Sequence, residues 1–231
     1  RSEPTRTNTE TMLLHIPAIL SPAQLADMRA ALASAEWIDG RATVGAQGAQ
    51  VKRNQQLADG SPLGKRLGDA VLAALAANPL FHAATLPARI LPPRFNRYDG
   101  GGEYGFQVDG AVMGLAAGPG TPASQLRSDV SCTLFLAEPE EYDGGELIIS
   151  DTYGEHDVKL PAGDLIVYPS SSLHRVTPVT RGARLASFFW VQSLVRDGEQ
   201  RRMLLDLDTS IQSLTTAGAE RDSVLRLTNI Y

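Results

Sequence analysis

Apolar positions change their period twice along the chain. In "SPAQLADMRAALASAEW", Leu25, Met28, Leu32 and Ala35 fall on one helical stripe, with Ser21 placed to cap and Pro22 at the first helical position. In "SPLGKRLGDAVLAALAANP", Ser61 and Pro62 repeat the start signal. Leu63, Leu67, Val71 and Leu75 form the stripe there, and Asn78-Pro79 marks the stop. From about Leu86 the texture becomes short β-type runs: "ARILPPRFNRY", "EYGFQVD", "DVSCTLFLA", "GELIISD", "DLIVYPS", "LHRVTPV" and "ARLASFFWVQS". Turn signals such as "DGGG", "DGG", "PAGD" and "TRGA" separate them. Many short strands at close spacing predict a sandwich or jelly roll. After Val195 the helical period returns with Met203, Leu204, Leu207 and Ile211. The predicted plan is mainly β with flanking helices: a helical support region over 12–85, a jelly-roll core over 86–194 and a helical tail over 195–231. The two early helices are expected to pack on one side of a sheet.

Two segments stand outside this plan. Residues 1–11, "RSEPTRTNTET", have neither an apolar core nor a cleavage-like pattern, so they read as a disordered extension or a cloning remnant, with Met12 as a natural start. Gly114 to Asp129, "GLAAGPGTPASQLRSD", reads as one long loop, of the kind that in compact domains carries function or moves. At 231 residues, 43% hydrophobic and 20% charged, the chain is long enough to bury a full core in a single domain. A net charge of −5 argues against nucleic acid or an anionic membrane as partner. No apolar run approaches the roughly 18 residues that cross a bilayer. Cys132 is the single cysteine, reads as a core residue, and points to a reducing, cytoplasmic setting.

Candidate chemistry centres on a short piece of strand, Gln107-Val108-Asp109. Positions two apart in a strand point to the same face, so their side chains can share one ion. Of the four histidines, His15 and His82 read as packing or surface residues and His156 as an exposed hairpin tip. His174 opens a strand after a Ser-rich turn. Arg184, Ala186, Phe188 and Trp190 share one face of a later strand, and an arginine among apolar neighbours needs an anion. That anion is either a protein carboxylate or the carboxylate of a small acid, which the planar guanidinium suits. Asp109 and His174 could supply two members of a facial metal triad, with position 107 as the third, although a glutamine stands there. "DGGG" at 99–102 lacks the lysine and the βαβ setting of a phosphate loop and reads as a turn. Glu146 and the "RDGEQRR" run read as solvent-facing, with Arg201 and Arg202 also able to contact an acidic partner.

The segments "RFNRYDGGGEYGFQVDGA", "RSDVSCTLFLAEPEEYDGGELIISD", "VKLPAGDLIVYPSSSLHRVTPVTRGARLASFFWVQS" and "VRDGEQRRMLLDLD" strongly resemble the bacterial PKHD-type hydroxylases, Fe(II)/2-oxoglutarate-dependent dioxygenases similar to prolyl and lysyl hydroxylases. The resemblance implies a double-stranded β-helix core in a dioxygenase domain over 12–231. It implies Fe(II), 2-oxoglutarate and O2, with ascorbate as a reductant, and C–H oxidation of a small molecule or a protein or peptide side chain. A homodimer is allowed. By the same resemblance, Asp109 and His174 are metal ligands, Arg184 receives the distal carboxylate of 2-oxoglutarate, Tyr98 contacts the co-substrate, and Trp190 and Phe135 line the pocket. The family's first metal ligand is a histidine where this chain has Gln107. An engineered change, natural divergence and a metal-free relative are three accounts of it. A neutral amide is a poorer donor than imidazole, so the expectation is weakened or altered activity on an intact fold; the alternative is a 2-oxoglutarate-binding or sensing module without turnover.

Overall fold

Alternation of side chains along the central strands sorts the apolar residues into two cores. The computed structural model describes residues 13–43, 49–115, 124–151 and 154–231. The N-terminal extension and the centre of the 114–129 segment lie outside these. The major sheet runs in space β1 (Leu14–Ile16), β14 (Leu165–Pro169), β10 (Val130–Phe135), β17 (Ala183–Ser193), β6 (Arg94–Asp99), β4 (Gln55–Gln56) and β2 (Ile38–Asp39), and β5 (Pro87–Ile90) also pairs with β17. The facing sheet runs β13 (Gly154–Val158), β12 (Leu147–Asp151), β15 (Leu173–Val176), β7 (Glu103–Gln107) and β3 (Lys52–Arg53). Two small ribbons complete the set, β8 (Val112–Leu115) with β9 (Ser124–Arg127) and β11 (Asp143–Gly144) with β16 (Val179–Arg181). All described pairings are antiparallel. This is the expected jelly-roll core with flanking helices.

On β10, Val130, Cys132 and Leu134 point away from the second sheet and join the core formed with the helices. That core takes Met28 and Leu32 from α1 (Pro22–Ala33), Leu67, Val71 and Leu75 from α2 (Pro62–Ala76), and Phe81 from α3 (Pro79–Thr85). The expected packing of the two early helices on one side of a sheet is therefore what the structure shows. The inner core between the sheets holds Tyr98, Phe135, Tyr142, Leu147, Ile149, Ile166, Tyr168 and Val176. A mixed wall of Ser131, Thr133 and polar groups from β6 and β4 borders that core, which leaves room for a cavity.

Several sequence expectations change. Asn78-Pro79 ends α2 but also starts α3, because Asn78 Oδ1 accepts from the Phe81 N–H as an N-cap. The 114–129 segment is not one loop: its ends form the β8–β9 ribbon. His156 is no exposed tip; it lies in β13, half-buried, with its Nε2 2.9 Å from Asp151 Oδ2. Glu146 does not face solvent freely, since it accepts from the Thr177 hydroxyl at 2.5 Å. The tail is two helices, α4 (Gly198–Thr216) and α5 (Arg221–Ile230), separated at Gly218, whose φ of +69° favours glycine. Arg201 is buried and donates to the Val195 and Arg196 carbonyls, so it pins α4 instead of meeting a partner. Arg202 pairs with Glu199 and Asp206 on its own helix.

Candidate active site

Gln107 is the last residue of β7, and its Cα pairs with that of His174 on β15. Three residues earlier on β7, Tyr104 pairs with Val176, two residues later on β15. Gly105 and Phe106 therefore stand opposite the single Arg175, a β-bulge that changes the face of every residue after it. Tyr104 and Gln107 both line the cavity although three residues apart, while Phe106 reaches the rim under the Arg175 guanidinium, 4.6 Å from its ring centroid. Asp109 lies past the end of the strand. Gln107 and Asp109 thus share a cavity, but not through the unbroken strand alternation the sequence suggests.

Asp109 is held from the major sheet. The Ser131 hydroxyl donates to Asp109 Oδ2 at 2.6 Å and shares a 2.8 Å hydrogen bond with the Ser170 hydroxyl. The next residue is tethered as well, because the Ser128 hydroxyl donates to the Gly110 carbonyl. His174 is buried with its ring edge-on to Tyr168, centroids 5.4 Å apart. Its Nδ1 lies 3.0 Å from the Ser172 carbonyl, which can only accept, so Nδ1 carries a proton and Nε2 is the ring nitrogen left for another partner. Nε2 stands 3.9 Å from Asp109 Oδ2. That separation is shorter than two metal bonds laid end to end, about 4.2 Å, so one ion can reach both. Among the described residues no cluster of three or more His, Cys, Asp and Glu side chains forms a metal site. Gln107 lines the same cavity as His174 and Asp109.

Arg184 occupies the other end of the same cavity. It is 1% exposed, and its guanidinium carbon lies 5.4 Å from the Tyr98 ring and 5.2 Å from the Phe135 ring. Its Nε has no hydrogen-bond partner. No protein carboxylate lies within ion-pair distance of it among the described residues, although its charge reaches Glu146 and helps hold that carboxyl down. Burial pushes the Tyr98 phenol up against the opposing pull of the Arg184 charge, so the hydroxyl stays protonated beside it. The Tyr168 phenol is likewise raised well above its ordinary range, by burial first and then by the Asp109 charge. Burial also raises the Cys132 thiol, which makes it unreactive.

The cavity is about 820 Å³, within the range of small-molecule sites. Gln107, Asp109, His174, Arg184, Tyr98 and Trp190 all line it. Phe135 does not; it sits against Arg184 in the inner core, because its partner on β17 is Ala186, one step removed from the opening. Sequence reasoning missed Tyr168, Ser131 and a polar wall of Lys52, Asn54, Gln56 and Asn96. Ser131 was legible in principle as the polar member of an alternating strand. Lys52 and Gln56 of that wall come from two-residue strands, β3 and β4, too short to carry a period.

Residues 93–192 match the sequence model of the 2OG-Fe(II) oxygenase superfamily, and residues 198–231 match that of the PKHD-type hydroxylase C-terminal domain. A PKHD-type hydroxylase of Xylella fastidiosa (strain 9a5c) is 65% identical over 220 residues, covering 95% of this chain and 96% of the relative. The chain belongs to the PKHD-type hydroxylases. Another member, from Stenotrophomonas maltophilia (strain K279a), is 66% identical over the same shares of both chains. A Pseudomonas putida prolyl-4-hydroxylase shares the fold, with a TM-score of 0.53 at 21% identity, over 79% of this chain and 93% of that one. The PKHD-type hydroxylases are 2-oxoglutarate- and Fe(II)-dependent oxygenases, and the cavity is built to match: an imidazole and a carboxylate at one end, a buried guanidinium at the other.

Since the Ser131 hydroxyl orients Asp109, Ser131→Ala is expected to weaken Mn(II) binding about tenfold, in line with the loss of other groups that orient ligands. Titration followed by the Mn(II) paramagnetic resonance signal measures it. Unchanged affinity would mean that Asp109 is positioned by other contacts.

Proposed function

We propose that Gln107, Asp109 and His174 hold Fe(II), that Arg184 and Tyr98 bind 2-oxoglutarate, and that the chain oxidises a C–H bond of a second substrate as 2-oxoglutarate is decarboxylated to succinate. The observation that carries this reading is Arg184: a buried cation in no ion pair among the described residues, although the Glu146 carboxylate feels its charge, in the same cavity as a carboxylate and an imidazole. Leaving such a charge unmatched is costly, and a dicarboxylate co-substrate matches it. The Tyr98 ring lies beside the guanidinium, and the Phe135 ring keeps water from the guanidinium face. Fe(II) would supply the coupling of O2 reduction to decarboxylation and substrate oxidation. The residues do the remaining work. Ser131 and the Ser172 carbonyl fix the two ligands, and Trp190, packed edge-on to Phe188 at 5.6 Å, walls the side where a substrate enters.

Gln107 offers a neutral amide oxygen with one more rotatable bond than a histidine nitrogen, so it holds iron more weakly and with less preorganisation. A second reading, a module that binds 2-oxoglutarate without turning it over, draws on that residue alone. Residues 12–231 act as one dioxygenase domain in this reading, and the cytoplasm suits its single buried cysteine. Among the described residues no single helix is long and apolar enough to cross a membrane.

The test is binding followed by turnover. 2-Oxoglutarate should bind the Mn(II)-loaded protein and be converted to succinate with Fe(II) and O2. Failure of 2-oxoglutarate to bind at millimolar concentration would refute the site; binding with no succinate above the metal-free background would favour the non-catalytic reading.

A further inference from the structure

The half of the cavity not used by the metal ligands and Arg184 has its own chemistry. Lys52 on β3 is 3% exposed, and its Nζ donates to Gln56 Oε1 at 2.7 Å. Gln56 pairs across β4 and β6 with Asn96, which is 7% exposed and whose Oδ1 has no hydrogen-bond partner. Arg94, two residues along β6 on the same face, lines the cavity near Phe188 and is paired outward to Asp59 at 2.9 Å. Asp109 is the only acid among the described residues lining this cavity. Apart from the groups given to iron and 2-oxoglutarate, the lining includes the cations and amides of Lys52, Arg94, Asn54, Gln56 and Asn96 together with the apolar surfaces of Phe188, Trp190 and Met113.

We infer that Lys52 is a specificity-determining residue that receives a carboxylate of the primary substrate, with Asn96 accepting a hydrogen bond from the same molecule and Trp190 and Phe188 taking its apolar body. The substrate class is thus a small organic acid with an apolar portion. This rests on the assignment of Arg184 to 2-oxoglutarate, which leaves Lys52 as the second cation site. Arg184 pairs with Tyr98 on β6, and Lys52 reaches the sheet through Gln56, beside Asn96, two residues along and one strand further out. Burial, and then the nearby Arg94 charge, bring the Lys52 ammonium down to about 8 against the smaller opposing pull of Asp59 and Asp39, and an anion in the cavity would add to that pull. A buried polar acceptor such as Asn96 Oδ1 is costly while unmet, so a ligand donor there adds selectivity as well as affinity.

The chain has two tryptophans, Trp37 and Trp190, so a Trp37→Phe background leaves Trp190 as the reporter. Protein loaded with Mn(II) and 2-oxoglutarate is titrated with 3-phenylpropionate and octanoate, and with 3-phenylpropanamide and octanamide as uncharged counterparts, following Trp190 fluorescence. At least one acid should bind about tenfold more tightly than its amide, and Lys52→Met should erase that preference while 2-oxoglutarate affinity stays within about twofold. Three results each overturn the inference: neither acid exceeding its amide, a preference that survives Lys52→Met, or a Lys52→Met protein that has lost 2-oxoglutarate. The co-substrate assignment fails separately, if 2-oxoglutarate binds an Arg184→Ala protein as well as the parent while the acid preference is unaltered.

Discussion

Arg184→Ala is expected to lower 2-oxoglutarate affinity at least about 30-fold, because truncating a desolvated charge pair costs about 2–5 kcal/mol. Metal binding, measured with Mn(II) alone, should remain, since the His174–Asp109 pair lies at the other end of the cavity and is fixed by Ser172 and Ser131. Arg184→Met keeps most of the volume between Tyr98 and Phe135 and separates lost charge from lost packing. Arg184→Lys should recover only part of the affinity, for it replaces a planar fork with a point charge. If all three variants bind 2-oxoglutarate like the parent, the dicarboxylate lies elsewhere and the buried guanidinium is a structural cation.

The second large effect concerns the metal. Gln107→His places an imidazole beside Nε2 of His174 and the carboxylate of Asp109, where the backbone already pairs residue 107 with His174. Iron or manganese affinity should rise by roughly 10- to 100-fold, the range spanned when a metal site's ligand support is altered. Succinate formation should rise with it if metal occupancy limits turnover. Thermal stability without metal should change little, because Gln107 lies on the cavity side and the apolar core under the helices is formed by other residues. Identical metal affinity in the two proteins would remove residue 107 from the ligand set.

Legibility in the sequence tracked the length of each element. β10 and β17 are long enough for alternation to declare both faces, and Arg184, Ala186, Phe188 and Trp190 share a face as the period requires. The α1 and α2 stripes were equally plain from Met28, Leu32, Leu67, Val71 and Leu75. Lys52 and Gln56 were not, since two-residue strands owe their faces to neighbours on β7 and β6 and not to their own pattern. Arg201 read as solvated charge because nothing local announces that its guanidinium turns back to close two carbonyls. Gln107 and Asp109 were found through their spacing to each other and their likeness to a family, yet their common cavity depends on the bulge and on Ser131 from another sheet.

That bulge makes strand register a chemical variable. Deleting one residue between Tyr104 and Gln107 would let β7 pair evenly with β15 and keep Gln107 opposite His174, whereas closing the bulge by a register slip, with no residue lost, would turn Phe106 inward and send Gln107 to the outer surface. An insertion there would move Asp109 away from Ser131. Room for side chains at the bulge is also limited: a methyl group on Gly105 would come within 2.9 Å of Val51 Cβ, whose carbonyl accepts from the Gly105 N–H. Substitutions at residue 107 therefore tune the donor set one atom at a time, whereas a one-residue register slip at the bulge would dismantle the set at once and leave the helices and their core unaltered.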